Sequence, residues 1–132
     1  MKMVLDSRFI IEYFYSEKTE TRQKATKKLK ELIQHKEGIL LTIVISETIQ
    51  TICEKIGKEE AEISYATLTQ SGLKIQPLTS PIAKQAGLLR SKYRNIPMGD
   101  CIIAATAIAN QATILSDDPH FEVIEDTKRN WI

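Results

Sequence analysis

Short apolar runs alternate with stretches of helical periodicity along the chain, and this alternation restricts the fold more than any other feature. MVL (Met3 to Leu5), ILL (Ile39 to Leu41), LKIQPL and TIL (Thr113 to Leu115) suit buried strands and are too short for helices, and VI (Val123, Ile124) is a weaker fifth run. Between them lie helical patterns. RFIIEYFY follows Asp6 and Ser7, and Ala25, Leu29, Leu32 and Ile33 recur at helical spacing before Gly38. Ile45, Ile49, Ile52, Cys53 and Ile56 form a stripe ended by Gly57, and a further helix is expected from Glu59 to Gln70. Ser80 and Pro81 open another helix, with Pro in its first turn. DCIIAATAIAN carries no charge after its first residue and reads as a short helix buried on all sides. Strand and helix in alternation predict an α/β fold, in which helices cover both faces of a short, mostly parallel, five-stranded sheet. Pro77 places the third strand at an edge or ends it there.

The acidic residues sit where strand-like runs give way to helix-like ones: Asp6, Glu47, Asp100, and the pair Asp117 and Asp118. In a parallel sheet all such junctions fall on one edge, the edge where ligands bind. Clustered carboxylates raise one another's pKa, and a hard divalent cation is the partner that makes best sense of them. Each acid also has a local reading. Asp6 and Asp100 stand at helix starts, where a carboxylate satisfies free N–H groups or meets the positive end of the dipole. Asp117 and Asp118 precede a Pro in a good turn sequence, and Glu47, which projects away from the Ile45 stripe, also suits a solvated helix face.

With 132 residues the chain is expected to form one domain able to bury a core without disulfides. Cys53 and Cys101 read as reduced core residues, and with only His35 and His120 beside them they make no zinc-ligand pattern. No apolar run is long enough to span a bilayer, and MKMVLDSRF does not resemble a signal peptide, so a cytoplasmic protein without membrane association is expected. The net charge is only +1, but cations cluster locally. Arg22 to Lys36, including Lys24, Lys27 and Lys28, is one basic segment, and Arg90, Lys92 and Arg94 lie just ahead of Asp100. Either group suits a phosphate backbone, and either is equally a solvated helix face.

The spacing of the acids brings a family into view. GDCIIAATAIANQATILSDDPHF resembles the C-terminal half of PIN-domain nucleases, with an Asp, an Ile-Ala-Ala-Thr-Ala helix, a short strand, and then Thr or Ser, any residue, Asp and often His-Phe. VLDSRFIIEYF resembles their first motif, and LLTIVISETI their second. The resemblance covers the whole chain and is greatest to compact VapC-like ribonuclease toxins. It implies a PIN-like three-layer α/β/α domain over 1–132 in which Asp6, Glu47, Asp100 and Asp118 are the acidic quartet. Ser7 and Ser116 match the accompanying hydroxyls, and Asp117 is auxiliary. The sequence departs from the commonest pattern with Ser at 116 and Pro after Asp118.

The implied chemistry is hydrolysis of RNA phosphodiester bonds with Mg²⁺ or Mn²⁺, held by Asp6 and Asp100, with Glu47 and Asp118 binding directly or through water. Lys24, Lys27, Lys28, Arg90, Lys92 and Arg94 are candidate RNA contacts. The resemblance further implies a cognate antitoxin and a homodimer, for which Ile11, Tyr13, Phe14 or Trp131 would supply apolar surface, although each is more often a core residue. Alternatives are a housekeeping RNA-processing PIN nuclease and a non-catalytic RNA- or protein-binding module. A phosphoacceptor receiver domain fits worse, because nothing Lys-like ends the late strand at Ile124 and the acids stand at the wrong strand ends.

Overall fold

The computed structural model describes residues 1–132. The chain begins with β1 (Met3–Leu5), followed by α1 (Ser7–Tyr15), α2 (Thr19–Gln34) and β2 (Gly38–Leu41). Next come α3 (Thr42–Lys55), α4 (Lys58–Thr69), β3 (Lys74–Gln76), α5 (Ser80–Lys92) and α6 (Met98–Asn110). β4 (Thr113–Leu115), α7 (His120–Val123) and β5 (Arg129–Asn130) complete it. The five strands form one sheet in the order β3-β2-β1-β4-β5, and every neighbouring pair is parallel. β1, β2 and β4 are buried throughout, which is why their residues, Thr113 apart, carry no polar side chain and show no alternation.

Sequence steps from β1 to β2 to β3 run one way across the sheet, and the return to β4 and β5 runs the other. Right-handed crossovers therefore place α1 to α4 on one face and α5 and α6 on the opposite face. Accordingly, α1 packs on α2 and α3, α3 packs on α4, and α5 packs on α6. Helix α6 lies against β1 and β4, and its residues Cys101 to Ala107 are all buried, as its uncharged sequence predicts. Gly57 separates α3 from α4 with φ 144°, a conformation that a side chain would strain.

Two expectations are corrected. The fifth strand is Arg129–Asn130, while Val123 ends α7. Ile124 plugs the core, and the hydroxyl of Thr127 closes the following turn on the carbonyls of Phe121 and Ile124. β5 pairs with β4 through its backbone, so polar side chains suffice there. The second correction concerns α3, whose buried face is Val44, Thr48 and Ile52, leaving Ile56 exposed. For the same reason Cys53 is exposed; only Cys101 is buried. Ile11, Tyr13, Phe14 and Trp131 are partly covered, and the exposed large apolar side chains include Ile56, Ile63, Tyr65 and Leu88.

The core is continuous from the sheet into both helical layers. Phe9 is completely buried beneath α1 and meets Trp131 edge to face at 6.4 Å. No helix is long and apolar enough to cross a membrane. Truncation of Phe9 to Ala should leave a cavity under the helix that carries Asp6 at its start, costing about 3–5 kcal/mol. Urea denaturation checks this: a lower midpoint at unchanged slope is expected, and an unaltered midpoint would contradict the packing role.

Candidate functional site

The sheet order creates a topological switch point between β1 and β4, because the chain leaves these neighbours in opposite directions. Their register pairs Leu5 with Leu115, so the next residues, Asp6 and Ser116, emerge side by side at the carboxyl edge. Ser116 Oγ donates to Asp6 Oδ2 at 2.6 Å, and the Ser7 N–H donates to Asp6 Oδ1 at 2.8 Å. Asp6 is thus the N-cap of α1 and also a member of the edge, only 3% exposed. Each of its oxygens keeps a further lone pair. Ser116 Oγ also accepts from the Asp118 N–H at 3.0 Å, and Asp118 Oδ1 accepts from the His120 N–H at 2.9 Å. One hydroxyl therefore links the end of β1 to the turn after β4.

Asp100 enters from the first turn of α6. Its Oδ2 lies 2.7 Å from His120 Nδ1, which is also 3.4 Å from Asp118 Oδ1. The ligand atoms of Asp100, Asp118 and His120 lie within 4.8 Å of one another, a spacing that suits a metal ion. Glu47, in the second turn of α3, approaches the backbone of Gly99; a Cβ there would stand 3.2 Å from Glu47 Oε2. Glycine therefore admits this carboxylate to the start of α6. Glu47 Oε1 is buried without a hydrogen-bond partner.

Electrostatics confirm that these groups share one environment. Burial, then the charges of Asp6 and Asp100, push the Glu47 carboxyl up to about 7. Burial likewise raises Asp6 against the opposing Ser116 hydrogen bond, with Asp100 and Asp118 adding repulsion. Asp100 is raised by burial although the bond to His120 works the other way. That bond in turn raises His120. Asp117 stands apart: it pairs with Arg8, whose guanidinium holds its carboxyl below the usual range.

The structure thus gathers Asp6, Glu47, Asp100 and Asp118 at one edge, with Ser116 bracing Asp6 and Asp118. Ser7 contributes its N–H and lines a groove of about 280 Å³ together with Arg8, Glu12, Thr51, Lys55 and Asp117. The basic residues are less uniform. Lys24 pairs with Glu20 at 3.2 Å, and Lys24, Lys27 and Lys28 line a shallow cavity with Glu31 and Trp131. Lys92 pairs with Glu125 at 3.3 Å. Arg90 ends α5 and acts electrostatically on Cys101, beside Asp100, while Arg94 is exposed.

In the sequence His120 figures only as one of two histidines too few for a zinc site, yet the fold stands it between two of the acids. Its place in SDDPHF was the available signal. Arg8 and Lys55 were also missed, because lone cations on helices carry no pattern until the chain is folded.

In the folded protein Glu47, Asp6 and Asp100 hold protons more tightly than in the unfolded chain, where carboxyls titrate near 4. The folded state then carries the excess protons, so stability falls as pH rises from about 4 until these groups ionise, for Glu47 near 7. The raised His120 acts in the same direction at its own higher window, while the lowered Asp117 adds stability that is present above about pH 4 and lost as pH falls below it. Thermal unfolding in chelator should therefore show stability declining between about pH 5 and about pH 8. Glu47→Gln should flatten the profile and gain about 1–2 kcal/mol at the alkaline end, a figure reduced for partial solvent screening. A flat wild-type profile, or a variant with the same slope, would contradict the burden assigned to Glu47.

Comparison with known proteins agrees with the fold. No curated protein matches the sequence. Among solved structures, VapBC2 from Rickettsia felis bound to a DNA fragment of its promoter is 20% identical, with a TM-score of 0.81 over 100% of this chain and 99% of that one. FitAcB from Neisseria gonorrhoeae is 24% identical, with a TM-score of 0.73 over 96% and 95%. The sarcin-ricin loop cleaving toxin VapC20 of Mycobacterium tuberculosis is 17% identical, with a TM-score of 0.71 over 92% and 93%. At such identities these likenesses establish a common fold. The PIN-domain family model matches residues 3–126, a span that includes every acid at the sheet edge, and the chain belongs to the PIN-domain family.

Proposed function

We propose that the protein is a divalent-metal-dependent endoribonuclease and the toxin of a toxin–antitoxin pair. The observation that carries the chemistry is the carboxylate cluster at the switch point, with its unpartnered buried Glu47 Oε1. A cluster with so little internal neutralisation fits a hard cation, and its donors are the oxygens that Mg²⁺ and Mn²⁺ prefer. Asp6 and Asp100 would hold the ion, with Glu47 and Asp118 binding directly or through water. When bound, such an ion supplies Lewis acidity, acidifying a water and neutralising charge on the phosphate.

The chain's own residues do the rest. Ser116 fixes the rotamer of Asp6 and the backbone of Asp118 together, so both carboxylates face the edge before any ligand arrives. Glu47 holds a proton near neutrality and can release it as positive charge enters. Arg8, half exposed and paired with Asp117, puts a guanidinium beside the acids, where a phosphate would otherwise meet only negative charge. Ser7, Lys55 and Thr51 continue that groove away from the cluster. Hydrolysis adds the elements of water across a P–O bond, so a protein nucleophile is unnecessary.

The toxin reading is supported by the likeness to VapC20, described as a sarcin-ricin loop cleaving toxin, and to the VapBC and FitA–FitB assemblies. A proteinaceous antitoxin and a homodimer belong to the same reading. Exposed Tyr65 and the groove of about 440 Å³ it shares with Ile49, Cys53 and Ala61 offer apolar surface for such a partner.

Purified protein should cleave structured RNA with added Mg²⁺ or Mn²⁺ and lose this activity to chelator. Asp100→Asn should reduce cleavage at least about a hundredfold while leaving the far-ultraviolet dichroism unchanged. Chelator-resistant cleavage, or full activity in the variant, would sink the mechanism. Ser116→Ala should cost about 1.5–3 kcal/mol of stability through the lost bond to a buried carboxylate, and about ten- to a hundredfold in rate. Induced expression should arrest growth with the wild type and not with Asp100→Asn; equal growth of both would remove the toxin reading and leave the nuclease chemistry to the cleavage assay.

A further inference from the structure

We propose that His120 is itself a ligand of the metal centre and biases it toward Mn²⁺ over Mg²⁺. This deepens the proposed function and rests on its metal reading. The position of the imidazole is set by the fold. His120 opens α7, its N–H is bound to Asp118 Oδ1, and the next residue, Phe121, is completely buried. The ring therefore faces the carboxylates from an anchored backbone, with Nδ1 2.7 Å from Asp100 Oδ2 and 3.4 Å from Asp118 Oδ1.

Those separations suit coordination. Adjacent ligands of an octahedral ion with bonds of about 2.1–2.2 Å lie about 3.0 Å apart, a value the two distances bracket. An ion could enter among the three groups with small side-chain adjustments. The bond from Nδ1 to Asp100 would then be replaced by two bonds to the same cation, and Nε2 would keep the ring proton. The chemistry of the donor set decides the preference. Mg²⁺ demands oxygen and dehydrates reluctantly, whereas Mn²⁺, although it too favours oxygen, is a transition ion that admits a nitrogen ligand at lower cost. One nitrogen among carboxylates is enough to distinguish the two ions, and the all-carboxylate quartet lacks that feature.

The alternative role is a hydrogen bond that merely orients Asp100. Orientation would serve Mg²⁺ and Mn²⁺ alike, so the ratio of affinities separates the two roles. The test is pulsed electron paramagnetic resonance of Mn²⁺ added to the metal-free protein, alongside calorimetric titration with each ion. The wild type should bind Mn²⁺ and show ¹⁴N modulation from a directly bound imidazole, replaced by the ¹⁵N pattern when the chain is grown with ¹⁵N-histidine. His35→Asn should retain the modulation and His120→Asn should abolish it. The latter should also weaken Mn²⁺ binding at least about tenfold and Mg²⁺ binding less than about threefold. Bound Mn²⁺ without nitrogen modulation, or equal loss of both ions in His120→Asn, would overturn the ligand role while leaving the carboxylate site intact. Failure of the wild type to bind Mn²⁺ would overturn both. The isotope substitution needs no variant, so the answer does not depend on how well His120→Asn folds.

Discussion

Parallel pairing of β1 with β4 is the constraint on which the site depends. Because Leu5 is in register with Leu115, Asp6 and Ser116 leave the sheet as neighbours, and the 2.6 Å bond between them follows. A slip of one residue would turn every side chain of a three-residue strand to the opposite face and separate that pair. Such short strands hold their register through burial. Both are completely enclosed, and α6 covers them with a helix that has almost no polar side chain to spare. The uncharged run from Cys101 to Ala107 is thus part of the site's machinery, although none of it reaches the edge.

The edge built on this frame works against stability. Four carboxylates are brought into mutual range, three with raised proton affinity, and His120 and Arg8 offset them in part. Glu47 has the least compensation, with one buried oxygen unmatched. A structural network would have its hydrogen bonds completed. Pairing among these acids is incomplete, and Gly99 leaves room for the least compensated member.

How much of this was legible in the sequence depended on what each residue does. β1 and β4 were readable residue for residue because enclosed strands must be apolar and the chain around them is not. α6 was readable because a helix without charge can only be interior. β5 was not, since its pairing uses the backbone alone and an apolar doublet nearby belonged to a core plug. On α3 the hydrophobic periodicity admitted two faces, and burial chose Val44, Thr48 and Ile52, leaving Cys53 outside. The acids stood out by their common placement at junctions. His120, Arg8 and Lys55 did not, because their relation to the acids arises across more than a hundred residues for Arg8 and Asp117 and about twenty for His120 and Asp100.

The central claim is that acids from four separate segments form one cation site. Anomalous diffraction from crystals soaked in Mn²⁺ tests it most directly. The account predicts a single strong peak at the carboxyl edge of β1 and β4, within coordinating distance of Asp6 or Asp100 and facing Asp118. Well-ordered acids with no peak among them, or manganese bound only elsewhere on the surface, would contradict it.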